Sequence, residues 1–178
     1  MTAVTTTTSR GQRTNRLPAE VTSFIGRRHE VAEVKRLLAT SRAVTLTGVG
    51  GVGKTRLALR AAQELRRTFR DGVWLAELAS LHQPGLLTET VAEALEVRSH
   101  TTPLIDALTR HLHDKQALLV LDNCEHLVHE CAVLAQTLLR AAPDLRILAT
   151  SRQALGIPSE QAMPVPPLHL PDGHTPRP

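Results

Sequence analysis

The sequence predicts an α/β fold, a three-layer αβα sandwich around a mostly parallel sheet of about five strands. Short apolar, β-branched runs alternate with longer segments whose apolar residues recur at helical spacing. One of the runs, Ala117 to Leu121, shows no polar alternation, as expected of a strand buried on both faces. Three of the runs end in residues suited to chemistry, Gly48, Asp122 and Arg152, and in parallel sheets ligands gather beyond the carboxyl ends of the strands.

Residues 1–17 are low in apolar content and read as a disordered leader. The folded domain is expected over residues 18–170, and the proline-rich end, 171–178, as a flexible tail. Val31, Val34, Leu37 and Leu38 fall on one side of a helix from about Arg27 to Ala39. Ala43-Val44-Thr45-Leu46-Thr47 is the first strand. Leu57, Ala61, Leu65 and Phe69 mark one face of the next helix, expected to end near Arg70-Asp71-Gly72. Val73-Trp74-Leu75-Ala76-Glu77 follows as a strand, with Gly72 suited to the turn before it.

Two helices come next, Leu86 to Leu95 and Pro103 to His113, the second with Thr102 as N-cap and Pro103 as first helical residue. Ala117 to Leu121 is the third strand, ending in Asp122, and a helix is expected from about His126 to Ala141. Arg146 to Thr150 is the fourth strand and closes on Ser151-Arg152. Ala162-Met163-Pro164-Val165 reads as an edge strand, because a proline cannot donate to a central ladder.

With 178 residues the chain has room for one domain with a real core. The formal charge of +4 is concentrated in the leader, where Arg10, Arg13 and Arg16 meet no acid; residues 17–178 carry 18 basic and 17 acidic groups. Aromatic platforms for single-stranded nucleic acid are scarce, since Phe24, Phe69 and Trp74 are the only aromatic side chains of this kind and Tyr is absent. No direct nucleic-acid contact is expected from this segment. No run reaches the roughly 18 apolar residues of a membrane span, and no secretory signal pattern opens the chain, so a cytoplasmic location without membrane contact is expected.

Cys124, His126, His129 and Cys131 are all metal-ligand types. On one helix the two cysteines share a face and the histidines lie on the opposite side, so the four do not converge. Cys131 instead reads as a small hydrophobe packed with Leu127, Leu134 and Leu138.

Gly48-Val49-Gly50-Gly51-Val52-Gly53-Lys54-Thr55 is a complete G-x-x-x-x-G-K-[ST] loop between a strand and a helix, the context such a loop requires. Gly48, Gly50, Gly51 and Gly53 allow the backbone to approach an anion closely, so that N–H groups including those of Val52 and Arg56 converge on phosphate at a helix N-terminus. Lys54 is expected to neutralise the β and γ oxygens, and Thr55 to place its hydroxyl on a Mg²⁺ that accompanies the nucleotide. Asp122, at the end of a buried strand, is the carboxylate expected to hold the same Mg²⁺. These residues predict a P-loop NTPase.

In this order and spacing the motifs resemble the STAND class of signal-transduction ATPases, close to the NB-ARC-type domain and especially to those of large bacterial transcriptional regulators. The resemblance covers about residues 16–171. It is carried by Phe24-Ile25-Gly26-Arg27 with Glu30, by Gly48 to Thr55, by Leu119-Val120-Leu121-Asp122-Asn123-Cys124-Glu125-His126, and by Thr150-Ser151-Arg152. It implies an adenine pocket lined at Ile25, Gly26 and Arg27, and a strand-end Arg152 that senses the terminal phosphate. A planar guanidinium suits that task, because it can donate two bonds to a γ-phosphate that ADP lacks. A guanine-selective Asn-Lys-x-Asp motif is absent, which favours ATP.

Two departures shape the expected function. Asn123 stands where many P-loop ATPases have a catalytic Glu, and Asn cannot accept a proton, so hydrolysis is expected to be slow, with Glu125 or a partner assisting. The family continues into a winged-helix region with a histidine motif, so the resemblance implies that the chain is a truncated or split portion of a larger regulator, working with its other domains or subunits. The expected function is an ATP- and ADP-binding, Mg²⁺-dependent switch. A hydrolysis-incompetent scaffold is the first alternative. A small-molecule kinase lacks an evident arginine-bearing lid, an AAA-type motor its Asp-Glu pair, and a partition-type motor its early loop lysine.

Overall fold

The computed structural model describes residues 17–18 and 26–167, so Phe24, Ile25, the leader through Arg16 and the tail from Pro171 lie outside the described residues. Its helices are α1 (Arg28–Thr40), α2 (Lys54–Glu64), α3 (Leu87–Ala94), α4 (Leu104–Leu112) and α5 (Val128–Ala141). Its strands are β1 (Ala43–Thr47), β2 (Val73–Glu77), β3 (Leu118–Asp122), β4 (Arg146–Ser151) and β5 (Glu160–Pro164). They form one sheet in the order β2-β3-β4-β1-β5. Every pairing is parallel.

Strand periodicity divides the core. Along β3, Leu119 and Leu121 face one apolar cluster with α3, α4 and α5, while Leu118 and Val120 face a second with α1 and α2. All four are fully buried, which is why this strand carries no polar alternation. The helices sit where their apolar faces require: Val31, Val34, Leu37 and Leu38 of α1 and Leu57, Ala58, Ala61 and Ala62 of α2 are buried on one side of the sheet. β5 lies at the sheet edge, paired only with β1 among the described residues, where Pro164 is tolerated.

Most element ends lie within a residue of the sequence expectation; β5, Glu160–Pro164, begins two residues before Ala162, and three further boundaries change the local structure. α2 stops at Glu64 and continues as a 3₁₀ turn, Leu65–Arg67, before the turn at Gly72. α4 starts at Leu104, with Pro103 as its N-cap in an extended conformation (ψ 138°) and the Pro103 carbonyl accepting the N–H of Asp106 and of Ala107. Thr102 is therefore one residue too early to cap; its hydroxyl meets Ser99 Oγ at 2.9 Å and accepts a bond from Arg110 at 2.8 Å. The helix expected from His126 begins at Val128, preceded by a 3₁₀ turn, Cys124–His126, because Asn123 takes a left-handed conformation (φ 67°).

Arg42, just before β1, donates from its guanidinium to the Leu139 carbonyl and, at 2.7 Å, to the Ala142 carbonyl. These are carbonyls from the last turn and the C-cap of α5, which a helix end leaves without intrahelical partners. Burial, then nearby Arg146, draws the Arg42 guanidinium below its ordinary pKa. Arg42→Ala is expected to lower stability by about 2 kcal/mol, the worth of charge-assisted bonds to such carbonyls. Urea unfolding checks this, with an unchanged midpoint as the contrary result.

Candidate functional site

The strands that lead into Gly48, Asp122 and Arg152, β1, β3 and β4, are neighbours in the sheet, with β4 in the middle. The parallel sheet thus brings together, at the carboxyl ends of its strands, residues separated by about a hundred positions.

Beyond β1 the chain turns sharply. A Cβ on Gly48 would lie 3.0 Å from the Val165 carbonyl oxygen, and Gly53 caps α2 with φ 91°, so both positions need glycine. Lys54 opens α2 and is 6% exposed. Its ammonium donates to the carbonyls of Gly48 (2.8 Å) and Val49 (3.1 Å), which folds the side chain back into the curl of its own loop. A cation at the first turn of a helix opposes the helix dipole, and its hydrogen-bond partners are backbone carbonyls, not a carboxylate. The result is a buried positive centre at a helix N-terminus, the electrostatic form of an anion site.

Asp122, at the end of β3, is 7% exposed. Thr55 Oγ1 donates to Asp122 Oδ1 at 2.7 Å, and Thr150 Oγ1 donates to the same oxygen at 2.6 Å. The Asn123 N–H donates to Thr150 Oγ1 at 2.9 Å. A hydroxyl and a carboxylate side by side form an all-oxygen donor pair, the chemistry that suits Mg²⁺.

The 3₁₀ turn after Asn123 carries Glu125 back over the site. Its carboxylate is 3.8 Å from Arg152 Nε, and its Oε2 is buried without a hydrogen-bond partner. Arg152 lies over the glycine loop, with a terminal nitrogen 3.7 Å from where a Gly50 Cβ would be. A cavity of about 350 Å³ is bounded by the loop glycines, Lys54, Thr55 and Arg56 on one side and by Asn123 and Glu125 on the other. A larger cleft of about 520 Å³ beside Lys35, Glu64 and Arg66 lies away from these strand ends and is crossed by the Lys35–Glu64 ion pair. The smaller cavity holds the convergent chemistry.

Of the residues expected at an adenine pocket, Ile25 lies outside the described residues. Arg27 adopts a left-handed conformation (φ 59°) and donates to the Val52 carbonyl at 2.7 Å and the Pro166 carbonyl at 2.9 Å. It ties the phosphate loop to the chain beyond β5 and is not among the residues that line the cavity beside Asn123 and Glu125. The Val52 side chain is buried in the core, leaving its backbone to the loop. The sequence motif gives Thr150 no role; its signal is a hydroxyl that closes an apolar buried run, Ile147 to Ala149.

Cys124 and Cys131 are both fully buried in the core cluster that contains Leu127, Leu134 and Leu138. A hydrogen bond with Cys131, together with burial, pushes the Cys124 thiol well above its ordinary pKa. Cys124 belongs to the 3₁₀ turn and not to the helix of Cys131. His126 donates a ring N–H to the Leu81 carbonyl (2.7 Å). Among the described residues no group of three or more His, Cys, Asp or Glu is arranged to hold a metal, and no helix is long and apolar enough to cross a membrane.

Comparison with known proteins gives a concordant result. The model of a family described as an AAA domain matches residues 37–157. An uncharacterized protein of Mycobacterium tuberculosis is 41% identical over 151 residues, covering 84% of this chain and 38% of that protein. A second protein of that organism, whose name assigns it provisionally as an HTH-type transcriptional regulator, is 41% identical over 140 residues, covering 78% and 16%. The chain therefore spans well under half the length of these relatives. A STAND protein with a tetratricopeptide repeat sensor from Pyrococcus horikoshii shares the fold, with a TM-score of 0.53 at 16% identity over 80% of this chain and 23% of that one. Asn123 argues against an AAA-type motor, while the family match carries the AAA description, so Asn123 stands as the departure at that position.

Proposed function

This chain belongs to the AAA domain family matched over residues 37–157, and from that premise we propose that it is the ATP-binding switch module of a larger signal-transduction or transcription-regulatory ATPase. The observation that carries the reading is the buried Lys54 ammonium in a glycine loop at the start of α2, where Lys54 and Thr55 line one cavity and Thr55 donates to the Asp122 carboxylate. Relatives named as regulators, of which the chain spans a part, support the larger setting. A cytoplasmic location follows from that role.

An ammonium has three N–H donors, and Lys54 spends two on its loop carbonyls, leaving one and the full charge for the β and γ oxygens. Loop N–H groups from Gly50 to Arg56 hold the α and β phosphates. Thr55 Oγ1 and the Asp122 carboxylate fit Mg²⁺, which when bound neutralises charge on the phosphates. Gly26 and Arg27 stand where the resemblance puts the base, with Arg27 acting by bracing the loop. Arg152 donates to the terminal phosphate, and its link to Glu125 is long enough (3.8 Å) to yield to that contact.

Hydrolysis is slow on this reading, because Asn123 cannot take a proton and Glu125 must position the attacking water from two residues on. Asn123 in the cavity wall also favours a second reading, a scaffold that binds nucleotide and does not hydrolyse it. Arg152→Ala separates ligand sensing from binding. It is expected to weaken ATP about 10-fold and ADP less than about twofold, the worth of one charge-assisted contact. Equal losses for the two nucleotides contradict the switch. Glu125→Gln should abolish what turnover there is while ATP binding persists; unchanged turnover removes Glu125 from the reaction, and no turnover in either protein favours the scaffold.

A further inference from the structure

We propose that Thr150 is a positioning residue for the divalent cation site, fixing the Asp122 carboxylate to the sheet; this rests on the functional reading above. Thr150 is fully buried, pairs in register with Leu46 of β1, and sits on the strand between the phosphate loop and Asp122. Its hydrogen-bond directions are determined by chemistry. A backbone N–H can only donate, so the Asn123 N–H makes Thr150 Oγ1 an acceptor, and the one hydroxyl proton goes to Asp122 Oδ1 at 2.6 Å.

Asp122 Oδ1 thus receives two hydroxyl protons from different sources. Thr55 belongs to the phosphate-loop helix, which carries the ligand contacts. Thr150 belongs to a central strand hydrogen-bonded on both sides, so its donor holds the carboxylate in place whatever the loop does. The same hydroxyl secures the left-handed Asn123, from which the chain turns to present Glu125. Packing alone would not select threonine here: valine has the same shape, suits a strand, and carries no polar group to bury. Arg152 lies two residues farther along the same strand end, so Thr150 connects the cation carboxylate to the strand that carries the phosphate-sensing guanidinium.

The test compares full-length wild type with Thr150→Val and Thr150→Ser, measuring ATP affinity in EDTA and the free Mg²⁺ that half-saturates the Mg²⁺-dependent tightening. Thr150→Val should raise the Mg²⁺ requirement about 10-fold, as loss of a partner behind a metal ligand commonly does. ATP affinity in EDTA should move by less than about twofold, and Thr150→Ser should restore the wild-type Mg²⁺ requirement through its hydroxyl. Thr150→Ala, also without the hydroxyl, serves in place of a valine variant that does not fold. A hydroxyl-free variant with the wild-type Mg²⁺ requirement overturns the proposal, as does an equal loss of affinity with and without Mg²⁺, the mark of a purely structural role. A wild-type chain that binds no nucleotide overturns the functional reading and this proposal with it.

Discussion

Lys54→Ala is expected to lower affinity for both ATP and ADP by about 100-fold, while leaving the ligand-free protein at least within about 1 kcal/mol of its original stability. The two halves of this expectation have one cause. Lys54 buries a cation at the positive end of α2, where the helix dipole disfavours it, and alanine is a better helix residue at that position. Against this stands only the loss of two bonds to the Gly48 and Val49 carbonyls. The position is therefore poor for folding and good for anions, and a nucleotide should lose the charge-assisted contacts to its phosphates when the ammonium goes. Binding isotherms and thermal melts on the same samples check both halves. Wild-type affinity in the variant, or a large loss of stability without ligand, contradicts the account.

Asp122→Asn is expected to remove Mg²⁺-dependent tightening of ATP binding by at least the roughly 100-fold that loss of an outer partner of a metal can cost. Asparagine retains a carbonyl oxygen that can accept from both Thr55 and Thr150, so the buried hydroxyls need not be left unpaired. What disappears is the negative charge. Affinity measured in EDTA should accordingly hold or improve, since a carboxylate near phosphates repels them when no cation intervenes. Mg²⁺ titrations with ATP present discriminate: a variant that still tightens with Mg²⁺ as the wild type does removes Asp122 from the cation site.

Much of the fold is legible because burial writes itself into residue type. Leu118 to Leu121 admits no polar residue, since both faces of β3 are covered, and β1 and β2 coincide with their apolar runs residue for residue. The phosphate loop is legible for a different reason: its chemistry is local, and the glycines, Lys54 and Thr55 are contiguous. What depends on sheet order is not. No periodicity states that β4 lies between β1 and β3, and so the sequence alone does not show that Thr150 touches Asp122.

Left-handed residues hide the remainder. Arg27 reads as part of a nucleotide motif; its left-handed backbone and the bonds of its guanidinium to the Val52 and Pro166 carbonyls are not written in that motif. Asn123, also left-handed, converts the expected helix start into a 3₁₀ turn and places Glu125 in the cavity wall. Thr102 shows the same limit at a helix end, where Ser99 and Arg110 engage the hydroxyl that composition alone would assign to capping.

The most direct test of the central claim is an equilibrium titration of the wild-type chain with ATP and with ADP in the presence of Mg²⁺, followed by product analysis. Saturable one-to-one binding is expected, with a dissociation constant on the order of micromolar, tighter for ATP, and turnover well below about one per minute, as for unassisted phosphate-loop switches. No saturation up to about 1 mM of either nucleotide, or rapid phosphoryl transfer to a small acceptor, would contradict it.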